Sequence, residues 1–235
     1  MQSLQPTCAT ERKPTLASPR MNLPAIRLRL QETQKNFDKI NATLSVKRTP
    51  PSDEVINNLL AGYALLDRYL ADDMDLFAYG HSEHLLALNQ TVLCHTAAIS
   101  ETERLAQFEA TKAHFYSSEN NGIGAINDWL SLHRSASVWK RAAGVFTLIL
   151  SQPQLFLEGN HRTGSLIMSY FLMRAGHAPF VLSFDNAHHF FEPAEFTKKR
   201  RKKQFLDDVI HLPKQTRKFA NLLKNEQKYS QFLLS

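Results

Sequence analysis

Hydrophobic residues recur every three or four positions along most of this chain, a spacing that predicts helices with one buried face. The pattern begins near Leu23 and repeats, segment after segment, almost to the end of the sequence. The predicted helical segments are 23–44, 53–71, 82–94, 100–116, 125–133, 136–150, 160–175, 202–212 and 214–233. Several strands with alternating polar and apolar residues are not found, so the sequence predicts an all-α fold with at most one hairpin.

Residues that start or stop helices support these boundaries. Pro50-Pro51 cannot continue a helix, and Ser52 follows as an N-cap. Ser100 and Glu103 have the spacing of a capping box. Residues 117–124 are rich in Ser, Asn and Gly and are predicted to form a loop, whose two glycines allow a short extended piece.

Composition divides the chain into four predicted parts. Residues 1–20 are rich in Ser, Thr and Pro and are expected to be a disordered tail, and the sequence leaves open whether Met21 is the true start. An N-terminal helical region covers 21–80, a helical core covers 81–198, and basic helices cover 199–235.

One segment of the core is polar between two apolar helices. It runs from Gln154 to Ser165, and the helix that follows is apolar on nearly every side, which places that helix at the centre of the fold. The polar side chains are those of Glu158, Asn160, His161 and Arg162. A polar turn that opens a helix favours anions, because the first N–H groups lack intrahelical partners and the dipole is positive there. Arg162 adds donors that match phosphate oxygens.

Charge suggests a second candidate region. The chain has 28 basic and 22 acidic residues, a net charge of +6 and a pI near 9.3. Six consecutive basic residues occupy positions 198–203. Such a run is typical of a solvated helix start that keeps a protein soluble, and it is also a pattern of nucleic-acid binding. A DNA-binding regulator is therefore one alternative function.

Cysteine content and hydropathy bear on the compartment. The two cysteines, Cys8 and Cys94, predict neither a disulfide framework nor a cysteine metal site. No apolar run approaches the ~20 residues that span a bilayer, and the N-terminus lacks the apolar stretch of a signal peptide. We therefore expect a cytoplasmic protein without a membrane partner.

The polar segment resembles the signature of the Fic family, which has the Fido fold and the motif H-x-F-x-[DE]-G-N-G-R-x-x-R. Five of the eight aligned positions match: Phe156, Glu158, Gly159, Asn160 and Arg162. The flanking helices also agree, and Tyr116–Trp129 lies where the family carries a hairpin flap that clamps the target segment. The resemblance implies a Fido-fold helical bundle with a central buried helix and a short β-hairpin flap.

The family's activity implies the chemistry of this segment. Its members transfer a nucleotidyl group, most often AMP from ATP, to a protein hydroxyl. The expected partners are thus a nucleotide, Mg²⁺ and a target protein with a Ser, Thr or Tyr hydroxyl. By resemblance, Glu158 holds the metal. The phosphates are bound by Gly159, Asn160, His161, Arg162, Thr163 and Gly164.

Three departures affect that expectation. Gln154 replaces the family's general base, and an amide has no useful basicity near neutral pH. His161 replaces the third glycine, and Ser165 replaces the last arginine. His161 then has two readings, as a substitute base or as a phosphate ligand. Phe190 and Phe191 additionally offer rings on which adenine could stack.

The sequence therefore supports a leading function and two alternatives. The leading function is a divergent Fic-type transferase whose catalytic candidates are His161 and Gln154. The first alternative is a catalytically inactive Fido-fold module that binds a nucleotide or a protein partner. The second is the DNA-binding regulator that uses residues 198–203. A purely structural ion pair between Glu158 and Arg162 at the helix start is also compatible with the pattern.

Overall fold

A computed structural model describes residues 20–94, 100–119, 121–202 and 204–234. These residues form ten α-helices and no strand, which confirms the predicted all-α class. The helices are α1 (Leu23–Lys35), α2 (Phe37–Thr43), α3 (Asp53–Ala71), α4 (Glu83–Cys94), α5 (Glu101–Tyr116), α6 (Ile123–Leu132), α7 (Val138–Leu150), α8 (Asn160–Arg174), α9 (Ala187–Thr197) and α10 (Leu212–Asn225). The residues predicted as a disordered tail lie outside the described part, apart from Arg20.

Side-chain caps begin several helices where the sequence predicts them. The Ser52 hydroxyl accepts a hydrogen bond from the Val55 N–H at the start of α3. Ser100 and Glu103 form a complete capping box at the start of α5. The start of α7 differs by two residues from the prediction, because the capping hydroxyl is that of Ser137.

Helix α8 lies at the centre of the fold, as its apolar sequence predicts. It packs against α3, α4 and α7, and every side chain from Thr163 to Met173 is buried. Gly164 allows a close contact with α7, because a Cβ there would lie 2.6 Å from the ring of Phe146. The hydrophobic core around α8 continues from Met21 to Phe232, so all three predicted helical regions contribute to one cluster.

The glycine-rich stretch before α6 is helical where we expected an extended piece. Gly122 is the N-cap residue, and α6 already begins at Ile123. Gly122 fits there because a Cβ would lie 2.1 Å from the carbonyl oxygen of Phe115. The expected extended piece is therefore wrong, and none of the described residues between Tyr116 and Trp129 is in a strand.

The C-terminal region also differs from its prediction. Residues 200–202 run beside the loop after α7, joined by hydrogen bonds from the Gln152 N–H to Arg200 O and from the Lys202 N–H to Gln152 O. A helix begins only at Phe205 and passes through a π-helical turn (Asp207–His211) directly into α10. Pro213 thus does not separate two helices: it lies inside this continuous helix, two residues after the π-helical turn.

None of the helices in the described part of the chain is both long and apolar enough to cross a membrane.

Candidate functional site

The loop between α7 and α8 ends in a conformation that favours glycine. Gly159 has φ +74° and ψ 8°, the left-handed region, and is the N-cap residue of α8. A Cβ at this position would also lie 2.9 Å from Nδ2 of Asn89 on α4. No side chain caps the helix, so its first N–H groups rely on other acceptors.

Asn160 fixes the shape of this loop. Its side-chain oxygen accepts a hydrogen bond from the Phe156 N–H at 2.9 Å, and its amide nitrogen donates to Phe156 O at 2.7 Å. The same nitrogen lies 3.4 Å from Oε1 of Gln154. Asn160 is 5% exposed. Its amide therefore serves the loop, not a ligand, in this structure.

Gln154, at the position of the family's general base, faces the same loop. Its amide nitrogen donates to Leu150 O at 3.2 Å. Its own carbonyl oxygen is bonded to Nε2 of His114 on α5 at 2.7 Å. These contacts hold Gln154 between α5 and α7.

Thr163 and Gly164 are structural residues of the first turns of α8. The amide of Asn89 donates to the Thr163 hydroxyl and to Glu158 O, both at 2.9 Å, and so joins α4 to both ends of the turn. Thr163 is fully buried, and Gly164 packs on Phe146. Neither offers a side chain to a ligand.

Arg162 connects α8 to the end of α4. Its guanidinium donates to Val92 O, one of the last carbonyl groups of that helix, where a cation is favoured by the helix dipole. The same side chain lines the cavity beside α8. Arg162 thus has a structural contact and also contributes positive charge to the cavity.

Glu158, the residue expected to hold the metal, lies apart from the other candidates. Its side chain is exposed, and it does not line the cavity that His161 and Arg162 face. Among the described residues, no three His, Cys, Asp or Glu side chains come together as a metal site. One carboxylate can be enough for Mg²⁺ that also binds phosphate oxygens, so Glu158 as a metal ligand stays a prediction, and no chemical step is assigned to a metal.

A cavity of about 570 Å³ lies beside the start of α8. Its volume falls within the range of small-molecule sites. The walls come from α1, α2, α3, α8 and α9, from the linker before α3 and from the segment between α8 and α9. Polar wall residues are Thr33, Arg48, Thr49, Ser52, His161, Arg162 and Ser165; apolar ones include Leu30, Phe37, Ile56, Leu59, Phe180, Leu182, Phe190 and Phe191.

His161 brings an unsatisfied nitrogen to this cavity. Its Nε2 is buried and has no hydrogen-bond partner among the described residues. The ring lies 6.2 Å from the ring of Phe190 and 6.5 Å from that of Phe191. Burial and, to a smaller extent, the nearby cations Arg48, Lys198 and Arg162 together lower the pKa of His161 to about 3. The imidazole is therefore neutral near pH 7.

Arg48 completes the polar end of the cavity, and the sequence reasoning missed it. Its guanidinium stacks over the ring of Phe191 at 4.4 Å and forms an ion pair with Glu195 at 3.2 Å. Its Nε is buried without a partner. Burial lowers the pKa of Arg48, although Glu195 and Glu192 oppose the shift. Nothing in the linker sequence marks it, because its position depends on the packing of α9.

The cavity suits a ligand that has both a negative charge and an apolar part. His161 and Arg48 both line the cavity, and each has a buried nitrogen without a partner among the described residues. A buried donor without a partner is costly, so a ligand that accepts hydrogen bonds from both gains free energy. The positive end of α8 and the guanidinium of Arg162 favour negative charge at the same place.

The structure thus divides the predicted site residues into three groups. His161 and Arg162 line the cavity together with Ser165 and the rings of Phe190 and Phe191. The other candidates either shape the loop and pack against α4 and α7 or, in the case of Glu158, face solvent.

The basic run has mostly intramolecular partners. Lys198 and Lys199 lie 3.8 Å and 4.0 Å from carboxylate oxygens of Glu195. Arg200 pairs with Asp207 at 3.6 Å and stacks on Phe196 at 4.1 Å. Lys202 is buried, and its ammonium donates to Pro153 O at 2.7 Å. Burial lowers its pKa to about 8. The run therefore secures the loop before α8.

Comparison with models of protein families, with curated proteins and with solved structures finds no match. The case for function therefore rests on the motif and on the geometry of the site.

Proposed function

We propose that this chain is a divergent protein of the Fic type that binds a nucleotide in the cavity beside α8. The observation that carries the proposal is that His161 and Arg48, each with a buried nitrogen that has no partner among the described residues, line one cavity beside the first turn of α8. In this proposal the fold is a Fido-type bundle with α8 as its central helix. The proposal does not include a β-hairpin flap.

A nucleotide fits the chemistry of the cavity walls. Phosphate oxygens are acceptors for the donors of Arg48, Arg162 and the imidazole of His161. The flat apolar rings of Phe190 and Phe191 lie beside these donors and suit a purine. Arg162 matches the phosphate-binding signature and His161 occupies a position within it, which is why a nucleotide is favoured over other anions with an apolar part.

Binding is better supported than transfer. Gln154 is engaged with the loop and is not basic. A histidine with a pKa of about 3 is a weak base at neutral pH, so His161 takes a proton from a protein hydroxyl poorly. Glu158 does not face the cavity. The chain is therefore proposed first as a nucleotide-binding module and second as a transferase of nucleotidyl groups to a protein Ser, Thr or Tyr hydroxyl.

One observation keeps the transferase as second candidate. His161 is neutral and its Nε2 has no partner, so an acceptor lone pair is available beside the cavity in one tautomer. An anion bound nearby raises the pKa of an imidazole. A nucleotide would thus improve the basicity of His161 at the time of reaction.

Calorimetric titration of the full chain with ATP and Mg²⁺ tests the binding proposal. His161→Leu and Arg48→Met each remove one donor and should weaken binding by tenfold or more, since a hydrogen bond to a charged group contributes about 1.5–3 kcal/mol. His189→Leu and Arg134→Met are matched controls, because both side chains are exposed and lie outside this cavity. Absence of ATP binding, or equal losses in the controls, would contradict the proposal.

Labelled ATP incubated with the chain and a cell lysate tests transfer separately. Label on a protein would establish the second candidate, and loss of that label with His161→Leu at an ATP concentration that still saturates the variant, while Gln154→Ala retains it, would assign His161 as the base. ATP binding without any label would support the nucleotide-binding module and contradict the transferase.

A further inference from the structure

The outward side of the C-terminal helix changes from apolar to basic along its length. The helix is continuous from Phe205 through the π-helical turn and α10 to Lys228. Four large apolar side chains are exposed at its beginning: Phe205 (76%), Leu206 (57%), Val209 (60%) and Ile210 (52%). Five exposed basic side chains follow: Lys214, Arg217, Lys218, Lys224 and Lys228. We call these residues together the C-terminal face.

The spacing places these residues on one side of the helix. Leu206, Ile210 and Lys214 follow one another at intervals of four, and the remaining cations continue the stripe at helical spacing. The opposite side is buried in the core through Leu212, Phe219, Leu222 and Leu223. The C-terminal face is therefore free of the packing that holds the helix in place.

The charge of this face is balanced only in part: Lys218 and Lys228 line a groove together with Asp185, Glu192 and Glu226, and no such group of described residues accompanies Lys214. In the described part of the chain, none of its five cations has an ion pair. Asp207 is buried against Arg200, and Asp208 is an exposed acid beside the apolar group. Lys228 lies over the ring of Tyr229 at 5.0 Å and still reaches solvent. A partner with negative charge complements the face.

We propose that the C-terminal face docks this protein onto an anionic membrane surface. The apolar tip (Phe205, Leu206, Val209 and Ile210) enters the boundary between headgroups and acyl chains, and the basic stripe lies along the anionic headgroups. Interfacial helices combine these two elements. A nucleic acid needs the cations and gains from stacking on Phe205, but it leaves the three aliphatic side chains without a role. The binding is peripheral and independent of the nucleotide cavity.

Cosedimentation of the full chain with vesicles tests the proposal. The protein should bind phosphatidylcholine vesicles that contain phosphatidylserine and should not bind phosphatidylcholine alone. Lys214→Ala/Lys218→Ala should lower the partition coefficient by roughly tenfold or more, because each basic residue near an anionic surface contributes several-fold. Phe205→Ser/Ile210→Ser should also lower it, since both charge and apolar contact are required.

Matched controls lie on the N-terminal helices. Lys35→Ala/Lys39→Ala removes the same charge from exposed positions, and Leu28→Ser removes an apolar side chain that is 68% exposed. These variants should bind as the unmodified chain does. Equal binding to neutral and anionic vesicles, or equal losses in the controls, would overturn the proposal. A protein that binds duplex DNA and does not bind any vesicle would also overturn it, if Lys214→Ala/Lys218→Ala abolishes the DNA binding and Phe205→Ser/Ile210→Ser leaves it unchanged.

Discussion

The two sides of the start of α8 differ in how completely their polar groups are satisfied. On the loop side, the Asn160 amide bonds to Phe156 and Gln154, and Asn89 bonds to Glu158 O and Thr163. On the cavity side, His161 has a buried ring nitrogen with no partner in the described part of the chain. Adjacent residues of this segment thus differ: those on the loop side stabilise the backbone, and His161 is the residue to which we assign ligand binding.

This difference has an energetic meaning. Two polar groups that form a buried hydrogen bond stabilise the fold. Removing one of them is costly, because the other stays buried without a partner. A buried group that lacks a partner already carries that cost, so its removal should spare or improve stability. Changes on the loop side should therefore reduce stability, and changes on the cavity side should reduce binding.

The largest expected effect is that of Asn160→Ala. The change leaves the N–H and the carbonyl of Phe156 buried without partners, and it should lower the free energy of unfolding by about 3 kcal/mol. Urea unfolding measures this loss. Asn221→Ala, at an exposed position of α10, is the control and should stay within about 0.5 kcal/mol. A loss below about 1 kcal/mol for Asn160→Ala would remove the distinction between the two sides.

His161→Leu should act in the opposite direction, and its effect should depend on pH. The pKa of His161 is about 3 in the folded chain against an ordinary value of 6.5. Between these values the unfolded state binds a proton that the folded state does not. Stability of the unmodified chain therefore falls as the pH falls, by about 1.4 kcal/mol per pH unit for this group.

The variant lacks this dependence. At pH 7 the free energy of unfolding of the variant should equal or exceed that of the unmodified chain. From pH 7 to pH 5, the difference between the two free energies should increase by about 2 kcal/mol in favour of the variant. Urea unfolding at both pH values measures the change, and His189→Leu on the surface is the control. An unchanged difference between pH 7 and pH 5 would show that His161 titrates normally, and the cavity side would then be solvated like any surface.

A glycine pair tests how tightly the loop meets α4. Gly159 and Gly176 have nearly the same φ, +74° and +77°, but a Cβ at Gly159 would lie 2.9 Å from Nδ2 of Asn89 and one at Gly176 would have no neighbour within 4 Å. Both alanine variants incur the cost of the left-handed conformation, about 1–2 kcal/mol. Gly159→Ala should cost about 1 kcal/mol more. Equal losses in thermal unfolding would show that Asn89 moves freely.

The sequence predicts the parts of this arrangement that depend on neighbours along the chain. Ser52 and the Ser100–Glu103 capping box act within one helical turn, so the residues alone predict them. The same holds for α8, whose apolar composition predicts its central place. The start of α6 was predicted wrongly, because the fit of Gly122 against Phe115 O depends on how the chain turns after α5.

The candidate site was predictable in its residue types and not in its orientation. The motif identifies His161 and Arg162, and both line the cavity. Whether a side chain on the first turn of α8 faces the loop or the cavity depends on where α3, α4 and α9 pack. Arg48 illustrates this limit, since it joins His161 through its contacts with Phe191 and Glu195 on α9. No local pattern connects that linker with α8.

The smallest expected effect is that of Gln154→Ala, and it sharpens the comparison most directly. The hydrogen bonds of its side chain are long, 3.2 Å to Leu150 O and 3.4 Å from the Asn160 amide, and Asn160 keeps two shorter bonds without them. The free energy of unfolding should fall by only about 0.5 kcal/mol.

The effect of Gln154→Ala on ATP affinity should be smaller still, because Gln154 does not line the cavity. Calorimetric titration with ATP measures this affinity, and His161→Leu is the reference variant that is expected to lose affinity. A tenfold weakening by Gln154→Ala would mean that the ligand reaches the loop side, where the family's base would stand. The nucleotide would then contact both sides of the start of α8. The hydrogen bonds that Asn160 and Gln154 make within the loop would be present only without a ligand.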